Sequence, residues 1–225
     1  MAKRGDSSVF VYHWIKSTTS PHVSLQEKYE EAFTTLLLIL DNWVLKSGRA
    51  LGQKYGHSCI CFTETPVWFM ADDKSKYQPF GFEFYKNDIY KIGGEKVIYC
   101  SEEDAKTLPQ EHIWKWVRHE PLIRTEQAPY GIDFSWEREV RINCSKFHLL
   151  GPSEIVDAST ASNVQFAFER IYVPSLGWKE RLLDELRLSL DRKLKEDVNN
   201  PHYQDYDEFY DSMMTVYSNA VESIS

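Results

Sequence analysis

The chain contains no run of about 20 apolar residues, so the sequence offers no helical membrane span. Residues 1–6 lead into a strand rather than into an apolar signal segment, and a cytoplasmic protein is expected. Cysteine is sparse, at four among 225 residues (Cys59, Cys61, Cys100 and Cys144), and only Cys59 and Cys61 are close together. No second Cys or His pair completes a zinc pattern, and His112 and His119 lack ligand spacing. The expectation is buried, reduced thiols and no metal centre. Positive charge is in deficit: 26 Lys and Arg stand against 34 Asp and Glu, giving a net charge of -8. That balance excludes broad electrostatic adhesion to nucleic acid or anionic membrane, while leaving room for a local basic patch. Internal repeats and low-complexity linkers are missing too.

What remains is a chain with 42% hydrophobic and 14% aromatic residues, rich enough in apolar surface to bury a core at this length. Residues 9–15 read as a buried strand interrupted by one titratable side chain, His13. An amphipathic helix follows over about residues 24–46, with Leu25, Tyr29, Ala32, Phe33, Leu36, Leu37, Ile39 and Leu40 on its apolar face and Ser47-Gly48 as its stop. Further strands are expected at 59–63, 81–85, 97–100 and 166–173. Residues 101–127 read as helical and irregular, Pro129-Tyr130-Gly131 as a turn, 179–194 as a helix, and 205–221 as a terminal helix. The fold class is therefore α+β: a single domain with a small mixed or split sheet flanked by helices, over residues 1–175, plus a C-terminal helical segment, 176–225, packed on it.

The densest concentration of chemistry is Trp136-Glu137-Arg138-Glu139-Val140-Arg141-Ile142. Read as a strand, it places Glu137, Glu139 and Arg141 on one face and Trp136, Arg138, Val140 and Ile142 on the other. Two carboxylates on one strand face repel unless they are solvated, paired with Arg141 or Arg138, or used. The run Cys59-Ile60-Cys61-Phe62-Thr63-Glu64-Thr65-Pro66 is a strand stopped by proline, and Glu64 at its end reads as a cap of the following turn.

Three blocks together, Tyr12-His13-Trp14, Cys61-Phe62-Thr63-Glu64-Thr65-Pro66 with Phe80-Gly81-Phe82-Glu83-Phe84 and Val97-Ile98-Tyr99, and Trp136 to Arg141, resemble the AbiGi-type abortive phage-resistance family and related uncharacterised bacterial domains. The resemblance spans roughly residues 9–175. The chain departs from that pattern at Ile15, where a hydroxyl residue is usual, and at Val140, where a tryptophan is usual. Those families in turn resemble ADP-ribosyltransferases, including the DarT-like enzymes that modify nucleic acid.

The resemblance implies an ADP-ribosyltransferase-like fold and a phage-defence effector that takes NAD as substrate, transferring ADP-ribose to a macromolecular acceptor or hydrolysing NAD. Cleavage of the nicotinamide–ribose bond passes through an oxocarbenium-like transition state that a nearby carboxylate stabilises. Glu139 is implied as that carboxylate, Glu137 as the group serving the acceptor, and His13, with Tyr12, as the contact to the adenosine-side ribose. Thr63 belongs to the same implied NAD site, and Lys86 and Arg118 are implied as candidate cations for its pyrophosphate. Tyr85 would stack on nicotinamide, with Phe84 or Tyr99 as alternatives. The alternatives from other classes are a non-enzymatic antitoxin or regulatory partner of a cognate toxin, for which the acidic charge is suited, and a nucleotide-binding sensor without turnover. A nuclease lacks its cluster of acidic metal ligands.

Overall fold

The computed structural model describes residues 8–17, 23–48, 58–65, 67–68, 77–124, 131–149, 167–196 and 206–224. Pro66, residues 125–127, Pro129, Tyr130, Phe166 and residue 205, which the sequence reading places in strands, turns or helices, lie outside them. The architecture is α+β, with the sheet split into small pieces and helices packed on them. The chain divides into two compact units assembled from interleaved segments. The first comprises Met1–His13, Leu45–Pro66 and Phe84–Phe147, and the second Trp14–Val44, Val67–Glu83 and His148–Ser225.

In the second unit, Gly81–Glu83 of strand β4 (Gly81–Tyr85) run antiparallel to β10 (Arg170–Val173), with Phe82 opposite Ile171. Strand β10 is joined in parallel by β11 (Val221–Ser223), Ile171 facing Val221, while strand β1 (Phe10–Trp14) falls almost wholly in the first unit. Helix α4 (Leu176–Glu196) packs on β10 and β11, and α1 (Leu25–Asn42) and α5 (Tyr206–Ala220) pack on α4. The helix α1 begins where its capping box predicts: the Ser24 hydroxyl accepts from the Glu27 N–H while the Glu27 carboxylate accepts from the Ser24 N–H. Its stripe of Ala32, Phe33, Leu36 and Leu40 is buried, and Phe33, Phe80, Tyr29 and Trp178 interlock as a ring cluster.

The helix ends four residues earlier than expected. Trp43 turns into the left-handed region at φ 53 and stacks its indole on Tyr217 at 5.8 Å, and Val44–Lys46 then leave as strand β2. A stack on a residue more than 170 positions away is invisible to helical periodicity. The terminal helix likewise stops at Ala220 because Val221 enters the sheet.

The first unit is built on an antiparallel sheet in the order β3-β8-β5, from Ile60–Phe62, Val140–Ile142 and Glu95–Lys96. Register places Cys61 opposite Arg141, Phe62 opposite Val140, Glu95 opposite Arg141 and Lys96 opposite Val140. Beside it run the parallel pair β6 (Ile98–Cys100) and β7 (Trp116–Arg118). Strand β9 (Lys146–His148), paired with β2, and the helix α2 (Lys86–Lys91) were not anticipated. Within 101–124 the helical content is a four-residue helix α3 (Glu102–Ala105) and a 3-10 helix (Gln110–Lys115). Phe62, Phe84 and Phe147 meet edge to face and fill the core on one side of the sheet.

Candidate functional site

The Glu-x-Glu segment is not a continuous strand. Residues Ser135–Glu137 form a 3-10 turn, Arg138 sits in the left-handed region at φ 45, and extended structure begins only at Val140. A period-2 relation between Glu137 and Glu139 requires Arg138 to be extended, so the same-face arrangement expected for the two carboxylates from the strand reading does not apply. The turn is held from β3. Thr63 Oγ donates to the Glu137 carbonyl at 2.5 Å, and the Glu64 N–H donates to the same carbonyl at 3.0 Å. The Glu137 residue is 3% exposed.

Glu139 is buried and engaged. Its Oε1 accepts from Arg141 Nε at 2.9 Å and its Oε2 from Arg141 Nη2 at 3.2 Å. The other arm of the guanidinium, Nη1, donates to the Trp114 and Trp116 carbonyls at 2.8 and 3.0 Å. Burial works against the charge of Arg141, but the field and hydrogen bonds of Glu139 outweigh it and hold the guanidinium above its ordinary range. The backbone N–H of Glu139 donates to the Tyr99 hydroxyl at 2.9 Å. Burial pushes the Tyr99 phenol up to about 12, with the Glu139 and Glu137 carboxylates adding to the rise. Tyr99 thus joins this cluster, although as a hydroxyl partner of the backbone.

Strand β1 lies against the end of β3 through reciprocal bonds between Tyr12 and Thr63, each N–H donating to the other's carbonyl at 2.8 Å. Directly opposed residues of an antiparallel pair share a face, so Tyr12 goes with Thr63 and Cys61, on the Arg141 side. His13, the next residue, falls on the other side. Its ring meets Phe62 edge-on at 6.0 Å, and Nδ1 donates to the Cys61 carbonyl at 2.8 Å, which makes Nε2 the acceptor of the neutral ring. The strands of His13 and Glu139 are therefore near neighbours separated by β3, but the two side chains lie on opposite faces. Tyr85 is 45% exposed, at the start of α2, with its ring 5.1 Å from Phe10.

The acidic residue on the His13 face is Glu64. It follows Phe62 by two and sits on the side shown by Lys96, the partner of Val140. Its side chain is 4% exposed and lies between two ammonium groups, Lys86 Nζ at 3.4 Å from Oε2 and Lys96 Nζ at 3.9 Å from Oε1. This group was read from sequence as a turn cap. The signal that marks it is a carboxylate placed directly after an apolar strand and before a proline. Arg118, the other expected pyrophosphate cation, is instead committed to Glu120 and also close to Glu102.

The cysteines are free thiols; Cys59 is buried, while Cys61, Cys100 and Cys144 are half-buried rather than fully buried as expected. Among the described residues no group of His, Cys, Asp or Glu could hold a metal ion, and no helix is long and apolar enough to cross a membrane. No protein-family model, curated protein or solved structure matches this chain.

Proposed function

We propose that this chain is a phage-defence effector that cleaves the nicotinamide–ribose bond of NAD and passes ADP-ribose to a macromolecular acceptor or to water. The observation that carries this reading is the convergence in one unit of three blocks far apart in sequence. Tyr12 and Thr63 bond reciprocally, Thr63 grips the Glu137 carbonyl, and β3 ladders onto β8 beside Glu139.

The geometry supports the following assignment of roles. Glu139 accepts from Arg141 through both oxygens, a two-point pair that holds its charge on the guanidinium, so it acts as a positioning residue that fixes the start of β8. Glu137, one residue before the left-handed Arg138, is then the carboxylate assigned to the developing charge at the ribose. Thr63 and Tyr99 hold the backbone on either side of Arg138, at the Glu137 carbonyl and the Glu139 N–H. His13, whose ring is oriented by the bond from Nδ1 to the Cys61 carbonyl, is assigned the contact to the adenosine-side ribose.

The test is to incubate the purified chain with NAD and quantify free nicotinamide by chromatography. Release is expected in the wild type. Glu137→Gln should lower it by about two to three decades, corresponding to roughly 2–4 kcal/mol of transition-state stabilisation. A second reading, a nucleotide sensor without turnover, is favoured by the burial of both carboxylates, at 3% and 9% exposure. Calorimetric binding of NAD without nicotinamide release would select it. Neither binding nor release would overturn both readings in favour of a non-enzymatic partner of a toxin.

A further inference from the structure

Glu64 is a buried carboxylate that its surroundings do not satisfy. Its Oε1 is shielded from solvent yet accepts no hydrogen bond from the described residues, and Lys96 Nζ, at 3.9 Å, stands beyond hydrogen-bond reach. Its Oε2 faces Lys86 Nζ at 3.4 Å, a long contact for a charge-assisted bond. An ionised carboxylate held out of water without donors on both oxygens is costly, and an orphan of this kind in a packed interior calls for a specific reason. The lysine beside Oε1 does not supply one, because its side chain is 69% exposed and gains little from an exposed ion pair.

The local charge is also unlike the rest of the chain. Two ammonium groups serve one carboxylate, a surplus of positive charge in a protein of net charge -8. The one carboxylate of α2, Asp88, is taken by Lys91 at 2.7 Å and does not compensate it. The Tyr90 phenol lies in the field of Glu64 and is raised, chiefly by burial. The cluster therefore offers a buried acceptor, for which only a donor such as a hydroxyl is missing, next to a mobile-tipped surface cation whose natural partner is a dianion.

We propose that Glu64, Lys86 and Lys96 form a binding site for a sugar phosphate, with Glu64 Oε1 accepting from a ribose hydroxyl and the two lysines neutralising the phosphate. Lys96 Nζ stands 3.9 Å from Oε1 on a side chain that is 69% exposed, and its movement toward a phosphate is the step by which the site would open the acceptor to the adjoining hydroxyl. The site lies beside the turn that carries Glu137, since the Glu64 N–H donates to the Glu137 carbonyl. The choice of a nucleotide as the sugar phosphate rests on the NAD reading above; the site itself is tested by binding rather than by turnover.

The experiment is isothermal titration of the intact chain with ADP-ribose, adenosine and inorganic pyrophosphate. ADP-ribose is expected to bind, and Glu64→Gln and Lys96→Ala each to weaken it by about ten- to a hundredfold, the range of one charge-assisted contact. Lys96→Ala should weaken pyrophosphate as well, whereas Glu64→Gln should leave pyrophosphate binding intact or strengthened, since it removes a negative charge. Lys96 is a surface residue, so its variant keeps the test open if Glu64→Gln fails to fold. ADP-ribose binding unchanged in a folded Glu64→Gln or in Lys96→Ala overturns the site. So does no ADP-ribose binding by the wild type, and so does a lowered melting temperature with unaltered affinity, which marks a structural ion pair only. Nicotinamide release with unaltered ADP-ribose affinity in the variants would sink the site and leave the NAD reading standing; variant-sensitive ADP-ribose binding without release would do the reverse.

Discussion

Glu139 and Arg141 form a two-point pair, with Oε1 2.9 Å from Nε and Oε2 3.2 Å from Nη2, and Arg141 carries that pair onward to the carbonyls of Trp114 and Trp116. One guanidinium thus ties β8 to the 3-10 helix and to the start of β7, spending one fork on a carboxylate and the remaining arm on backbone.

Because both side chains are buried, at 7% and 11% exposure, removing one partner strands the other. Arg141→Met is expected to destabilise the fold by about 3–5 kcal/mol, and Glu139→Gln, which keeps the shape but not the charge, by less. Urea unfolding of the single variants and of Glu139→Gln/Arg141→Met checks this. The double variant should recover part of the loss, and simple additivity would show that the pair is not coupled.

The hydroxyl of Thr63 is the second strap on the same segment. It donates to the Glu137 carbonyl at 2.5 Å and lies 2.6 Å from the Thr65 hydroxyl and 3.0 Å from the Thr65 N–H, which it accepts. Thr63→Val keeps the β-branched shape and loses all three interactions, in a residue only 5% exposed. A loss of about 1–3 kcal/mol is expected, and Thr63→Ser should retain most of the stability. If the catalytic reading holds, nicotinamide release should fall in Thr63→Val at temperatures where the variant is still folded.

How much of this was legible follows from where each feature gets its energy. The start of α1 is written locally, in Ser24 and Glu27, and the strands at 60–62 and 81–85 are written in apolar runs. The end of α1 is not, because Trp43 takes a left-handed conformation for a stack on Tyr217. Strands β5, β9 and β11 are two or three residues long and lean on their partners, so no periodicity announces them. The segment around Glu137 and Glu139 was conspicuous by composition, yet its alternation failed at Arg138. Nothing in the sequence fixes a left-handed arginine; the grip of Thr63 and Glu64 on the preceding carbonyl accompanies it.

Two glycines with the same φ of +95 separate backbone strain from crowding. A Cβ at Gly93 would meet open space, so Gly93→Ala should cost only the left-handed penalty, about 1–2 kcal/mol. At Gly131 the Cβ would lie 2.0 Å from the Pro121 carbonyl oxygen, backbone that cannot rotate aside. Gly131→Ala should therefore cost more than Gly93→Ala, about 3 kcal/mol or above. Equal shifts in the urea midpoint would mean that the 120–132 bridge yields to the methyl group.

Alkaline stability should carry the signature of the buried phenols. Tyr99 and Tyr172 are both pushed from 10.0 up to about 12, chiefly by burial, and Tyr172 also donates to the buried Glu83 carboxylate at 2.9 Å. The folded-state values lie above the unfolded ones, so between the two the native state binds more protons and stability falls as pH rises. Their contribution is fully present below about pH 10 and is lost as pH climbs toward about 12. Other groups titrate in the same window, so the readout is the difference between the wild type and the Tyr99→Phe and Tyr172→Phe variants, which lack the ionisation. Each variant should show a shallower decline of unfolding free energy over that window, and tyrosinate absorbance in the wild type should show at least three phenols fewer than expected at pH 11, because burial also holds up the Tyr217 phenol. A decline as steep in both variants as in the wild type would mean that neither hydroxyl is held neutral by its surroundings.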